Sequence, residues 1–415
     1  MREMKDSGIE WIGDIPVSWK IIPNKYLMRK EKKICPVYHG EDILSLTMKG
    51  VIVRDLDAGG KMPTSFDGYQ RLEAGNLLMC LFDIDVTPRC VGLIKQAGVS
   101  SPAYSQFVLR KGADAAYYCY YYTMLDNDKT LLHLAKNLRH SLTEDQLGAI
   151  PVIVPPIEEQ QRIADFLDAK CAEIDALTAD IQAQIDTLEQ YKRSVITETV
   201  TKGLNPDAEM KDSGIEWVGK MPLAWDAVPN KYLMYKVKNI CPVYNGEDIL
   251  SLTTNGVIIR DLNGGGKMPT SFDGYQKVTP GNLLMCLFDI DVTPRCIGLV
   301  KNFGLTSPAY SQFVMRTGAY APYYYYYYLM VDYTKELLHM AKNLRHSLTE
   351  DQLGAIKAPN PPYEEQVQIA EFLDKKCVEI NLVIEDKNRQ LATLDEYKKS
   401  LIFEYVTGKK EVPTS

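Results

Sequence analysis

What this chain lacks narrows what it can be. It has no C-x-x-C pair, and its five histidines do not fall beside cysteines at ligand spacing. A zinc site or disulfide framework is therefore not expected, and the nine cysteines read as buried reduced thiols. No unbroken apolar run reaches membrane-spanning length, and MREMKDSGIEW offers acidic and polar residues where a signal peptide needs an apolar core. The expected setting is the cytoplasm. Glycine and proline are both missing from Glu158 to Val200, which leaves that stretch free to form one long helix. Positive charge is scarce too, with a formal net charge of −7.

What is present is a duplication. MKDSGIEW begins at 4 and 210, KMPTSFDGYQ at 61 and 267, GNLLMCLFDIDVTPRC at 75 and 281, and AKNLRHSLTEDQLGAI at 135 and 341, a constant offset of 206 residues. Each unit is far longer than a solenoid repeat, so these are two copies of a whole domain. Two equal lobes suit a target that is itself two-fold symmetric.

Each copy divides into a lobe and a helix. In the first lobe, β-rich runs at Val51–Val53, Leu77–Phe82 and Phe107–Leu109 sit between Gly, Pro and Asp punctuation, and a helical stretch runs from Ala115 to Leu138, which predicts an α+β fold. Thr143 followed by Gln146 predicts a capping box on a brief helix that Pro151, Pro155 and Pro156 end. Beyond it, Leu167, Ile174, Ile181, Leu188 and Val195 fall seven apart, with Ile163, Leu177 and Tyr191 assigned to the alternate seam of a coiled coil. The second helix, Glu364 to Val406, repeats this with Ile369, Leu373, Ile380, Val383, Leu391, Leu394, Tyr397 and Leu401, and has Lys387 where the first has Ile181. At 1.5 Å per residue each helix is about 60 Å long. The linker from Thr201 to Glu209 spans at most roughly 30 Å fully extended, too short to carry the chain back along the first helix. The helices are therefore expected to pair antiparallel, with the lobes at opposite ends of a rod and related by a pseudo-two-fold. The expected divisions are 1–156 and 210–362 for the lobes, 157–200 and 363–406 for the helices, 201–209 for the linker and 407–415 for a tail.

The acidity lies on the helices. Residues 157–200 carry a net −6 and 363–406 a net −4, so the rest of a chain at −7 is +3. Mildly basic lobes permit nucleic-acid binding.

The opening M-K-D-S-G-I-E-W-I-G-D-I-P-x-x-W, the segment LFDIDVTPR and the P-P-x-E-E-Q-x-x-I-A joints at 156 and 362 resemble the specificity subunits of type I restriction–modification enzymes, in both halves. The resemblance implies two target recognition domains, each reading one half of a split duplex DNA site. It also implies helices that act as a ruler and dock two methyltransferase subunits, which motor–nuclease restriction subunits join. S-adenosylmethionine, ATP and magnesium would belong to those partners, and this chain would carry no catalytic residue, cofactor or metal.

Three motifs point to catalysis instead. Asn360-Pro361-Pro362-Tyr363 spells the signature of amino-methyltransferases, in which such residues hold a flipped base. The first copy has Val154-Pro155-Pro156-Ile157, and both stretches lead into a helix, with no glycine-rich loop after a strand. Pro206-Asp207 with Glu209-Met210-Lys211 echoes a nuclease metal site, but its acids are too close to come from two strands of a hairpin. Gly264-Gly265-Gly266-Lys267 lacks the Ser or Thr of a phosphate loop. The alternatives are a stand-alone N6-adenine methyltransferase and a coiled-coil scaffold without DNA specificity.

DNA contact calls for Lys or Arg on phosphate, and for Arg, Asn or Gln on base edges. The candidates are Lys49, Arg54, Lys61, Tyr69 and Gln70, matched by Arg260, Lys267, Tyr275 and Gln276; Arg89 and Arg295 after Thr-Pro; and Lys136, Asn137 and Arg139, matched by Lys342, Asn343 and Arg345. The tyrosine runs at 117–122 and 323–328 point all round a helix and so predict packing inside the lobe. Because KMPTSFDGYQ, FDIDVTPR and AKNLRHSLTEDQ are identical in both lobes, the expected target is an interrupted palindrome or close to one. The differences Met48/Thr254, Lys49/Asn255, Asp57/Asn263, Ala58/Gly264 and Arg71/Lys277 are able to alter one half.

Overall fold

The computed structural model describes residues 2–57, 63–135, 140–262, 269–341 and 346–413. The fold is α+β, and the chain forms two compact units: residues 1–181 with 388–415, and residues 182–387. Each unit holds one lobe, the first part of that lobe's own long helix and part of the other long helix.

In the first lobe a four-stranded antiparallel sheet runs Met28–Glu31, Ser105–Leu109, Leu77–Met79, Val91–Leu93. Leu77, Leu78 and Met79 are all buried, because this inner strand is covered on both faces. The expected strand Leu77–Phe82 is cut to three residues, since the chain leaves the sheet and turns at Asp83, whose φ is 45°. The second lobe repeats the sheet with Met234–Val237, Ser311–Met315, Leu283–Met285 and Ile297–Leu299.

Helix α1 (Ala115–Asn127) packs on the sheet edge, its start capped by the Asp114 carboxylate accepting from Tyr117 N. It is shorter than the predicted 115–138 stretch because Lys129 takes a left-handed φ of 53°, after which Thr130–Leu134 forms a separate turn of helix. Tyr117, Tyr118, Tyr121 and Tyr122 are fully buried, as packing inside the lobe requires. Each hydroxyl then needs a partner. Tyr118 donates to Ile153 O (3.1 Å) and Tyr122 to Asn24 Oδ1 (2.6 Å), while Tyr120 reaches Asp168 Oδ1 (2.7 Å). Burial raises all of these phenol pKa values. The capping box at Thr143 and Gln146 is formed, as is its copy at Thr349 and Gln352.

The long helices are α2 (Ile157–Lys202) and, after α3 (Ala321–Thr334) of the second lobe, α4 (Tyr363–Val406). Within the first unit Phe166 meets the Tyr405 ring (4.5 Å) and Lys398 pairs with Asp175 (2.6 Å). Within the second, Lys192 donates to Asn381 Oδ1 (3.0 Å) and Lys387 to Gln184. Rising numbers on one helix meet falling numbers on the other in both units, so the pairing is antiparallel. The heptad positions Leu167, Ile174, Ile181, Leu373 and Ile380 are buried, and Leu188, Leu391 and Leu394 partly so. Of the alternate seam, Ile163 is buried as expected and the rest differs from the prediction. Leu177, Tyr191, Val383 and Tyr397 are 48%, 48%, 45% and 54% exposed, and the inward positions are Cys171, Thr178, Ile185 and Lys192 on α2, with Cys377, Ile384 and Lys398 on α4. A step of four residues, not three, follows each heptad leucine or isoleucine, so several of the inward positions, Cys171, Thr178, Lys192, Cys377 and Lys398, fall on polar or small residues.

The P-P-x-E-E-Q joint fastens each helix to its lobe. Gln160, fully buried, donates to Pro155 O (2.8 Å) and Gly112 O (3.2 Å) and accepts from Asp114 N (2.8 Å). Glu159 accepts from Trp19 Nε1 (2.9 Å) and pairs with Arg2 (2.5 Å). Gln366 and Glu365 repeat this with Pro361 O, Gly318 O, Tyr320 N and Trp225 Nε1. The N-P-P-Y motif belongs to the same joint. Asn360 closes a strand paired with Asp226–Pro229, its side-chain oxygen accepts from Tyr324 and Gln366, and Tyr363 opens α4. The Asn360 side-chain oxygen is committed to holding the helix. Asp207 lies in the turn before the strand Met210–Asp212, which pairs with Lys220–Pro222.

Candidate nucleic-acid interface

In each lobe a hairpin stands over the sheet. In the first its strands are Leu44–Thr47 and Gly50–Val53, with Met48 and Lys49 at the tip. The Thr47 hydroxyl accepts from Lys49 N (3.1 Å) and donates to Gly50 O (3.0 Å), while Gly50 supplies a φ of 88° that a side chain would strain. The seat beneath is Gly92: a Cβ there would lie 2.8 Å from both Leu46 Cδ1 and Val51 Cγ2, so only glycine lets the hairpin down onto the sheet. Gly298 does the same under Val257 and Leu252.

Facing the hairpin is the loop from Phe82 to Arg89. Thr87 closes it onto Asp83 O with both its backbone N–H (2.9 Å) and its hydroxyl (2.8 Å). Ile84 is buried, its N–H donating to His140 O (3.1 Å), and His140 Nδ1 lies 3.0 Å from Asp85. That hydrogen bond holds the Asp85 carboxyl below its ordinary pKa, and the His346–Asp291 pair repeats the effect. Between loop and hairpin lies a cleft of about 380 Å³ in the first lobe, and its equivalent of about 240 Å³ in the second. Its rim is apolar and solvent-facing: Val86 and Val292 are 72% and 73% exposed, and Phe82 stacks with Tyr104 at 6.3 Å.

The predicted DNA residues divide among three situations. Lys49 is exposed at the hairpin tip, and Arg54 and Arg260 are half-buried just past the outer strand. Gln70 and Gln276 are corrections. They are buried, and both amide hydrogens are spent on backbone carbonyls, Gln70 on Ser101 O (2.9 Å) and Tyr104 O (2.8 Å), Gln276 on Ser307 O and Tyr310 O, so neither is free to pair with adenine. Tyr69 and Tyr275 are half-buried and pack edge-on against Phe66 and Phe272, each at 5.3 Å. Arg89 reaches Asn127 Oδ1 (3.3 Å) and lies 3.9 Å from Asp126, and Arg295 reaches the Tyr325 hydroxyl (3.4 Å), so both tie the loop to a helix. Lys61, Lys136, Asn137, Arg139, Lys267, Lys342, Asn343 and Arg345 lie outside the described residues. Sequence reading missed the apolar rim of Phe82, Val86 and Tyr104. The signal was in FDIDVTPR, where an apolar residue stands among acids in both copies.

Residues 91–187 match the family model described as type I restriction modification DNA specificity domain. The type I restriction enzyme MjaVIII specificity subunit of Methanocaldococcus jannaschii is 26% identical over 284 residues, 63% of this chain and 63% of that protein. The putative type I restriction enzyme MjaX specificity subunit of the same organism is 25% identical over 295 residues, 66% of this chain and 62% of that protein. The chain thus spans just under two thirds of the length of these curated relatives. A solved structure described as the structural basis of complex assembly and conformational transition of the type I R-M system shares the fold, with a TM-score of 0.70 at 12% identity, over 95% of this chain and 99% of that one. The fold is thus that of a duplicated α+β protein whose residues 91–187 match a type I DNA specificity domain. The chain is similar to the specificity subunits of type I restriction–modification systems. Among the described residues no helix is long and apolar enough to cross a membrane.

Proposed function

We propose that this chain is the non-catalytic DNA-recognition subunit of a type I restriction–modification complex. Residues 1–156 and 210–362 are the two recognition lobes, each reading one half of a split duplex site. The observation that carries this reading is the equivalent cleft in each lobe, built from nearly the same residues, in a chain that matches a DNA specificity domain. Two lobes of near-identical frame select a target that is an interrupted palindrome or close to one, with half-site centres about one helical turn, roughly 34 Å, apart.

The helices dock two methyltransferase subunits, one per repeat, and restriction subunits join those. Support comes from Leu177 and Tyr191, apolar yet exposed on α2, whose repeat equivalents Val383 and Tyr397 are exposed on α4. Equivalent surfaces imply equal stoichiometry. S-adenosylmethionine, ATP and magnesium are the partners' to bind, and nine free thiols fit work in the reducing cytoplasm.

The test is methylation mapping in cells that carry this chain with its methyltransferase, together with the mass of the purified complex. A split motif and two methyltransferase copies are expected. Methylation without sequence preference, or a single copy at saturation, would overturn the reading.

A further inference from the structure

We propose that the hairpin tips set the difference between the two half-sites: Lys49 in the first lobe takes a guanine, and Asn255 in the second takes an adenine at the equivalent position. The proposal rests on the reading of the chain as a DNA specificity subunit and assigns the residue that makes its halves unequal.

The two cleft linings differ in residue type only at the tip, at Met48 and Thr254, next to Lys49 and Asn255. Leu46, Thr47, Cys80, Phe82, Thr87, Pro88, Arg89 and Tyr104 line the first, with Val86, and Leu252, Thr253, Cys286, Phe288, Thr293, Pro294, Arg295 and Tyr310 line the second, where the residue equivalent to Val86 is also a valine, Val292, outside the lining. Every pair is the same residue type. The remaining tip position is Met48 in one lining and Thr254 in the other. The shared frame has largely spent its polar groups on itself: the Thr87 hydroxyl on Asp83 O, the Cys80 thiol on Phe82 O (3.3 Å), and the Arg89 guanidinium on Asn127. It builds both grooves from the same residue types and leaves few polar groups to face a base edge.

The tips also share one backbone. Thr253 accepts from Asn255 N (3.2 Å) and donates to Gly256 O (3.0 Å), the bonds that Thr47 makes in the first lobe, and Gly256 has a φ of 95° against 88° at Gly50. One rigid turn thus presents Met48-Lys49 in one lobe and Thr254-Asn255 in the other, all four exposed. An ammonium donates to guanine O6 and N7, whereas a carboxamide both donates to adenine N6–H₂'s neighbour N7 and accepts from N6, so the exchange changes which purine is matched. Beside it, Met48 supplies an unbranched thioether and Thr254 a methyl and a hydroxyl.

The experiment swaps the tips in the full chain with its methyltransferase partner. M48T/K49N gives the first lobe the second lobe's tip, T254M/N255K does the reverse, and methylated sites are mapped for both and for the unaltered chain. The unaltered chain is expected to methylate a split site whose halves differ at one position, guanine against adenine. M48T/K49N should convert that site to one with adenine in both halves, and T254M/N255K to one with guanine in both. The preference at that base should shift about 5- to 150-fold. An unchanged motif in both variants overturns the proposal, as does a uniform loss of methylation at every site, which would make Lys49 a phosphate contact. Halves of the native site that already match at every position overturn it as well. Absence of any sequence-selective methylation by the unaltered chain would defeat the parent reading, and this proposal with it.

Discussion

Replacing Gln160 by Ala tests the joint between lobe and helix. The side chain satisfies Pro155 O, Gly112 O and Asp114 N from a site with no solvent exposure. Three bonds at about 1 kcal/mol net each, plus the desolvation of backbone groups left unpaired, give a loss of about 3–5 kcal/mol. For a unit of this size, about 3 kcal/mol lowers the melting temperature by roughly 6–12 °C. Calorimetry is the assay, because the two units provide an internal comparison: Gln160→Ala should lower the transition of the unit containing residues 1–181 and leave the other in place. Gln160→Glu sharpens the test. Its carboxylate would face two carbonyl oxygens, so its folded pKa lies above the unfolded value of about 4.3 and the neutral form is the one tolerated. Stability relative to the parent is then best below about pH 4.3 and is lost as the pH rises through the folded pKa. A melting temperature for Gln160→Ala within a degree of the parent, or a pH-independent gap for Gln160→Glu, would refute the role given to this residue.

Alkaline titration should expose the tyrosine cores. Burial raises the pKa values of Tyr117, Tyr118, Tyr121 and Tyr122 and of their counterparts, so stability is intact below the unfolded value of about 10 and falls above it, by about 1.4 kcal/mol per pH unit for each. Tyrosinate absorbance should rise in one step with loss of circular dichroism, and a gradual rise in the folded protein would count against it. Leu188→Pro breaks α2 in mid-course at a cost of about 3 kcal/mol or more and should abolish capture of the methyltransferase in a pull-down; normal capture would remove the helix pair from the docking surface. Substituting Arg54 and Arg260 together by Ala should either weaken binding to every duplex alike or relax choice at one base by about 1–3 kcal/mol, and unchanged affinity and choice on a duplex panel would take both out of the interface.

The duplication, the long helices and their antiparallel sense were all legible in the sequence, because a constant offset and a short linker are geometric statements. The seam was legible only in half. Counting apolar letters selects Leu177 over Thr178 and Tyr191 over Lys192, and cannot choose between Val383 and Ile384, whereas the helix turns the residue four places on toward its partner, and Thr178 and Lys192 take the position regardless of polarity. Composition likewise marked Gln70 as a base reader when its amide is consumed inside the lobe, and left Glu159 and Gln160 as part of a signature with no stated physical role. Their recurrence at 365 and 366, at the point where strand becomes helix, was the available clue. The clefts were out of reach because Gly92 meets Leu46 and Val51 only after the chain has folded back on itself.

One unit is continuous in sequence and the other is not. Residues 182–387 emerge from the ribosome as a single stretch and have every partner they need once the last of them is made. The other unit must wait. Its tyrosine core is closed by Tyr117 donating to Val406 O, and its apolar interior includes Leu401, Ile402 and Tyr405, all synthesised after the rest of both lobes. The lobe translated first is therefore the last to be completed, and for most of synthesis it presents an unfinished apolar face.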